Sequence, residues 1–133
     1  MIPKLNGIDH VHVYARDREA AAIWYQEILG FTVVETYRFW AEREYGPLTI
    51  QDASETIHIA LFKSDEFIPD SVLAFGVSGN EFLKWKAYLE NKDILKRCSD
   101  HSKMWSLYFN DLDGNGLEIT TADYDTVAAQ LNN

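Results

Sequence analysis

The stretch IDHVHVYARDREAAAIWYQEILGF, residues 8–31, decides how the fold is read. Residues 8–14 place β-branched side chains at alternate positions, the period-two signature of a strand. Asp17 stands where a helix N-cap belongs, because its carboxylate can accept from first-turn amides that have no helical partner. In residues 18–29, Ala20, Ala21, Trp24, Ile28 and Leu29 are spaced for one helical face. Gly30 then supplies the left-handed residue that closes such a helix. Strand-like runs follow at 31–37, 47–51 and 55–62.

Further along, the same order is written a second time. Residues 71–77, SVLAFGV, read as a strand, and Ser78 with Glu81 forms an S-x-x-E helix start. Phe82, Leu83, Trp85 and Leu89 mark the next helical face. Strands are predicted near 94–98, 104–110 and 116–121, with Asp111–Asn115 as a tight turn and 122–131 as a short closing helix. The expectation is a single α+β domain over residues 1–133, with half-repeats at approximately 6–62 and 70–124. Two βαβββ modules would form a curved mixed sheet, helices outside and a cavity within. Residues 63–70, with Asp65, Glu66 and Pro69, read as a plain connector.

Charge narrows the partners. Twelve Lys and Arg against 21 Asp and Glu leave a net −9, which repels phosphate backbones and anionic lipids. Nucleic acid and membrane are therefore not expected, and the acidic balance favours, weakly, a neutral or cationic ligand. The lone cysteine, Cys98, permits no internal disulfide, which suits a reducing cytoplasm, and no acid–base pattern surrounds it. No apolar run approaches the roughly 20 residues that span a bilayer, and the N-terminus lacks a signal-peptide core. A cytoplasmic location is the expectation.

Strand side chains alternate faces, so parity sorts the polar groups. Val11 and Val13 take one face of the first strand, and His10, His12 and Tyr14 the other. In 55–62 the apolar face is Ile57, Ile59 and Leu61, leaving His58 opposite; in the last strand Leu117 and Ile119 pack, leaving Glu118 opposite. His10, His12, His58, Tyr108 and Glu118 thus fall on cavity faces, if the cavity exists. A buried imidazole or carboxylate needs a partner, and a divalent metal is one. Two imidazoles and a carboxylate suit Fe(II), Mn(II), Ni(II), Co(II) or Zn(II) and leave positions open for substrate. A lone strand histidine is ordinarily a hydrogen-bonded structural residue, so the metal reading depends on the fold.

Two motifs then resemble the vicinal oxygen chelate superfamily of glyoxalases, extradiol dioxygenases, fosfomycin-resistance enzymes and bleomycin-resistance proteins. His10, Asp17, Trp24-Tyr25 and Ile28-Leu29-Gly30-Phe31 look like that family's H-x6-D…[FW]Y…LGF start. Tyr108-Phe109-Asn110-Asp111-Leu112-Asp113-Gly114-Asn115-Gly116-Leu117-Glu118 is similar to its YF-x-DPDGN-x-[IL]E ending. The resemblance implies metal ligands at the first and last strand of each half: His10, His58 and Glu118 match, whereas Val72 stands at the fourth point and cannot ligate. His12 is assigned to the cavity wall or to a place behind the ligands.

Tyr108 and His101 resemble a tyrosine and a histidine of extradiol dioxygenases, with His101 displaced in register. They are the candidate proton-handling residues, with His12 as a possible base in a glyoxalase-like reaction. The aromatic loop 37–45, with Phe62 and Trp105, is expected to wall a site for a flat ligand. The implied function is a metal-dependent dioxygenase, or a glyoxalase- or lyase-like enzyme, in a homodimer. The alternative is a metal-free binder resembling bleomycin-resistance proteins.

Overall fold

A computed structural model describes residues 1–132. The chain divides into two compact units, Met1–Ile68 and a second beginning at Pro69. The break falls inside the connector.

The first unit holds β1 (Val11–Ala15), α1 (Arg18–Leu29), β2 (Thr32–Val33), a 3₁₀ helix (Glu35–Glu42), β3 (Leu48–Gln51) and β4 (His58–Lys63). Its sheet runs β1-β4-β3-β2, with β1 parallel to β4 and the other pairs antiparallel. The second unit holds β5 (Val72–Gly76), α2 (Gly79–Asn91), β6 (Arg97–Asp100), β7 (Trp105–Asn110), β8 (Gly116–Thr121) and α3 (Tyr124–Leu131). Its sheet order, β5-β8-β7-β6, reproduces that of the first unit, with β5 parallel to β8. The α+β class and the twice-written βαβββ order are as expected.

The helix boundaries follow local chemistry. Asp17 Oδ1 accepts from the Ala20 amide at 3.1 Å, and Gly30 closes α1 at φ 74°, its N–H bonded to the Gln26 carbonyl. Ser78 Oγ accepts from the Glu81 amide at 3.2 Å, while Glu81's own carboxylate takes Lys84 Nζ.

Several expectations shift. The buried stripe of α1 is Ala21, Ala22 and Tyr25, with Trp24 and Ile28 only half-buried, because Tyr25 rather than Trp24 points into the core. In α2 the buried side is Gly79, Phe82 and Leu89, and Leu83 and Trp85 are half-buried. The predicted strand 31–37 survives as Thr32–Val33 alone, and the run that follows is 3₁₀ helix. Strand β1 begins at Val11, three residues later than predicted, because its parallel partner offers pairing from Ile59 onward. Likewise 94–98 becomes Arg97–Asp100, set by pairing with Trp105–Tyr108.

The apolar parity is as read. Ile59, Leu61, Leu117 and Ile119 are each no more than 2% exposed, and Leu48, Ile50, Leu107 and Phe109 join them in the two cores. The edge strands β1 and β5 alternate between half-buried Val11, Val13, Leu73 and Phe75 and exposed His12, Tyr14, Val72 and Ala74.

Candidate functional site

The open face of the first sheet collects polar residues through register. His12 lies level with Ala60, and Ala60 with Thr49; one step back, His58 lies level with Gln51, and His10 directly precedes Val11, the partner of Ile59. A cavity of about 220 Å³ opens here, lined by Asp9, His10, Thr49, His58, Ala60 and Phe62 and by Tyr37, Trp40 and Pro47 from the preceding loop.

The imidazoles are oriented. His10 Nδ1 lies 2.8 Å from Asp9 Oδ2. A carboxylate only accepts, so Nδ1 carries the proton and Nε2 of the neutral ring is the acceptor nitrogen. That Nε2 faces His12 Nε2 at 3.1 Å. His12 in turn packs against Phe62, ring centroids 4.5 Å apart. His58 Nε2 donates to Gln51 Oε1 at 3.1 Å, and Gln51 Nε2 donates to Glu55, which fixes the amide orientation and leaves His58 Nδ1 as its lone-pair nitrogen. His58 is placed by the turn before it: Asp52 Oδ1 accepts from the Thr56 and Ile57 amides at 2.9 Å each. Partial burial of Asp52 raises its carboxyl pKa, but the bonds from Ser54, Ile57 and Thr56 outweigh it and hold the group below its ordinary value.

The aromatic wall is a product of 3₁₀ geometry. Three residues per turn eclipse positions i and i+3, so Tyr37 and Trp40 stack with centroids 4.5 Å apart at 16°. Arg18, at the start of α1, fastens the far end of this segment. Its guanidinium donates to the carbonyls of Ala41 at 3.0 Å, Arg43 at 3.1 Å and Gly46. Tyr37, Trp40 and Phe62 wall the cavity as expected. Trp105 does not: it is 6% exposed within the second unit and stacks on Tyr124.

In the second unit, Glu118 is half-buried on β8 and accepts from Ser106 Oγ at 2.7 Å. Tyr108 sits across from it on β7. His101 Nε2 reaches Tyr108 Oη at 3.0 Å from the β6–β7 turn, where Ser102 adopts φ 72°. Arg97 caps the Tyr108 ring, its guanidinium carbon 4.4 Å from the centroid. Val72 is exposed on edge strand β5. Cys98 is half-buried, and burial pushes its thiol above the ordinary value.

The structure thus brings His10 and His12 together, places His10 and His58 on one cavity whose lining does not include the exposed His12, and pairs His101 with Tyr108. Among the described residues, no three His, Cys, Asp or Glu side chains are gathered closely enough to hold a metal ion. Asp9, Gln51, Ser106, Arg97 and Arg18, which orient these groups, were not singled out in the sequence. For Asp9 a signal existed, a carboxylate directly before a strand histidine.

Comparison with known proteins is consistent with this architecture. Residues 7–119 match the family described as the glyoxalase/bleomycin resistance protein/dioxygenase superfamily. No curated protein matches the chain in sequence. Among solved structures, a putative glyoxalase family protein from Bacillus anthracis is 22% identical, with a TM-score of 0.70 over 91% of this chain and 98% of that one. A lactoylglutathione lyase from Agrobacterium tumefaciens is 18% identical, TM-score 0.70, over 91% and 97%. A mutant of the fosfomycin resistance protein FosX from Listeria monocytogenes, complexed with Mn(II) and 1S,2S-dihydroxypropylphosphonic acid, is 14% identical, TM-score 0.72, over 98% and 100%. At these identities the likeness is one of fold. The family match covers most of the sequence, from the strand that carries the first histidines to the strand that carries Glu118: the chain belongs to the glyoxalase/bleomycin resistance protein/dioxygenase superfamily.

Proposed function

We propose that the protein is a divalent-metal-dependent enzyme acting on a small molecule held through two neighbouring oxygens, in a dioxygenase-like or glyoxalase- or lyase-like reaction. The observation that carries this reading is the His10 imidazole on a 220 Å³ cavity, its Nδ1 proton fixed on Asp9 and its Nε2 lone pair turned to a second imidazole, His12. A carboxylate behind a histidine is how metal-binding imidazoles are commonly oriented and made more basic. His10, His58 and Glu118 are the proposed ligands, and the ion is one of Fe, Mn, Ni, Co or Zn. FosX binds Mn(II) on this fold, which supports the choice of metals to test.

A bound divalent ion would polarise the chelated oxygens and stabilise the anion that forms beside them. The chain's own contribution is positional. Tyr37, Trp40 and Phe62 offer flat apolar surface to the guest. The His101–Tyr108 pair can hold or pass a proton between imidazole and phenol oxygen, and His12 is the remaining proposed base. The proposal includes a cytoplasmic homodimer. No helix of the described residues is long and apolar enough to cross a membrane.

The test is elemental analysis of untagged protein, followed by thermal melting with Fe(II), Mn(II), Ni(II), Co(II) and Zn(II). One metal at near stoichiometry, with a melting point that climbs as its concentration rises above the dissociation constant, is the expected result. Absence of any bound metal together with no thermal response to all five would end the enzyme reading. It would leave the second reading, a metal-free binding protein, which the stacked Tyr37–Trp40 pair on the cavity favours.

A further inference from the structure

The cavity on the first sheet has a floor, a wall and a charge pattern that together restrict its guest. Thr49 and Ala60 are cross-strand partners on β3 and β4, and their small side chains form part of the floor. Thr49 turns away from the core that its neighbours Leu48 and Ile50 enter, yet it is only 6% exposed. Its hydroxyl makes no hydrogen bond among the described residues, and Thr49 lines the cavity. A hydroxyl held this deep is costly to leave unpaired, so it is a handle for whatever enters.

The flanking groups define what that guest can be. Tyr37 and Trp40 offer partly exposed rings, and ring faces carry negative charge density that attracts cations and repels anions. Asp9 brings a carboxylate, and none of the lining residues is a lysine or an arginine. His58 gives its Nε2 proton to Gln51 and keeps Nδ1 as an acceptor. Asp9 and His58 Nδ1 accept, and the Thr49 hydroxyl can accept as well. An anion here would shed its water and meet acceptors with no countercharge. A guest with N–H donors would satisfy them.

We propose that this cavity takes a flat nitrogen heteroaromatic, neutral or singly positive. Its ring lies against the Tyr37–Trp40 pair and an N–H is donated to Thr49 Oγ1, which makes Thr49 the residue that selects for the donor. The proposal goes beyond the reaction inferred above, because it concerns the cavity of the chain alone and requires no metal.

The test titrates the untagged full chain calorimetrically, with EDTA present, against 2-aminobenzimidazole and 2-naphthoate, two flat bicyclic probes of opposite character. The first is expected to bind about tenfold or more tightly than the second, since wrongly placed charge is strongly penalised. Thr49→Val keeps the β-branched shape and deletes the hydroxyl. It should weaken 2-aminobenzimidazole by about 3–10-fold, the worth of one net hydrogen bond, without lowering the melting midpoint. Trp40→Leu locates the site and should weaken the same probe by about threefold or more. Equal affinity for the two probes, no binding of 2-aminobenzimidazole, or unchanged affinity in either variant would overturn the proposal. Because EDTA removes metal from the measurement, each of these failures leaves the metal-dependent reading standing. Conversely, protein that binds none of the five cations leaves this proposal standing.

Discussion

Asp52 illustrates how much a single side chain contributes to the site without touching a ligand. Its oxygens accept from Ser54 Oγ at 2.6 Å and from two amides of the turn that delivers His58 to β4. Because the folded carboxyl sits below its ordinary value, this group stabilises the fold above the unfolded value of about 3.9, and the contribution is lost as pH falls through the folded value. Asp52→Asn is expected to cost about 1–2 kcal/mol near neutral pH, the scale of bonds to a charged acceptor. The gap between wild type and variant should close in acid, as read by urea midpoints from pH 7 to pH 3. A gap that stays constant, or widens toward acid, would contradict the role given to the charge. At this scale the sequence was informative about which residues matter and less so about their company. Parity put His10, His12 and His58 on one face, but Gln51 meets His58 only through the β3–β4 register, and Ser106 meets Glu118 only through β7–β8.

Among the elements, those settled by neighbours in sequence were legible. Asp17, Gly30 and Ser78 mark helix ends because capping bonds span only a few residues. The 3₁₀ helix was not legible. Residues 31–37 read as one strand, and the segment that replaces most of it is fastened by Arg18, a residue distant in sequence. The α1 face was misread by one position because adjacent Trp24 and Tyr25 offer two competing aromatic stripes, and the core accepts only Tyr25. The 3₁₀ helix also depends on Gly46, where an added Cβ would collide with the backbone carbonyl of Trp40. Gly46→Ala is therefore expected to destabilise by about 1–3 kcal/mol, as overpacking does. Arg18→Met should speed amide hydrogen exchange across residues 40–46 while leaving β7 and β8 unchanged; equal protection in the variant would show that the arginine is dispensable.

For the whole chain, division into units has a practical signature. Each unit has its own sheet and buried apolar residues, and between them run residues 64–70, in which Asp65, Glu66, Ile68 and Asp70 are exposed. Exposed connectors with few backbone bonds are where proteases cut folded chains first. An endoprotease specific for glutamate is expected to cleave first after Glu66, giving two fragments by mass spectrometry. First cleavage inside the 3₁₀ helix, at Glu35 or Glu42, would instead mark that segment as the weakest. The twofold repetition was readable because each half repeats the same strand–helix–strand order. Whether His10, His58 and Glu118 act as one was not, since ligands far apart in sequence have no local spacing to betray them.

The Arg18 clamp has a kinetic corollary. A stacked tyrosine and tryptophan on a free loop would part by side-chain rotation, within nanoseconds. Here the backbone beyond them is tied at three carbonyls to the base of a helix. The backbone of that wall shifts only when several of those bonds break at once. Backbone motion of this wall therefore runs at the tempo of a loop detaching, governed from behind by a residue outside the cavity lining.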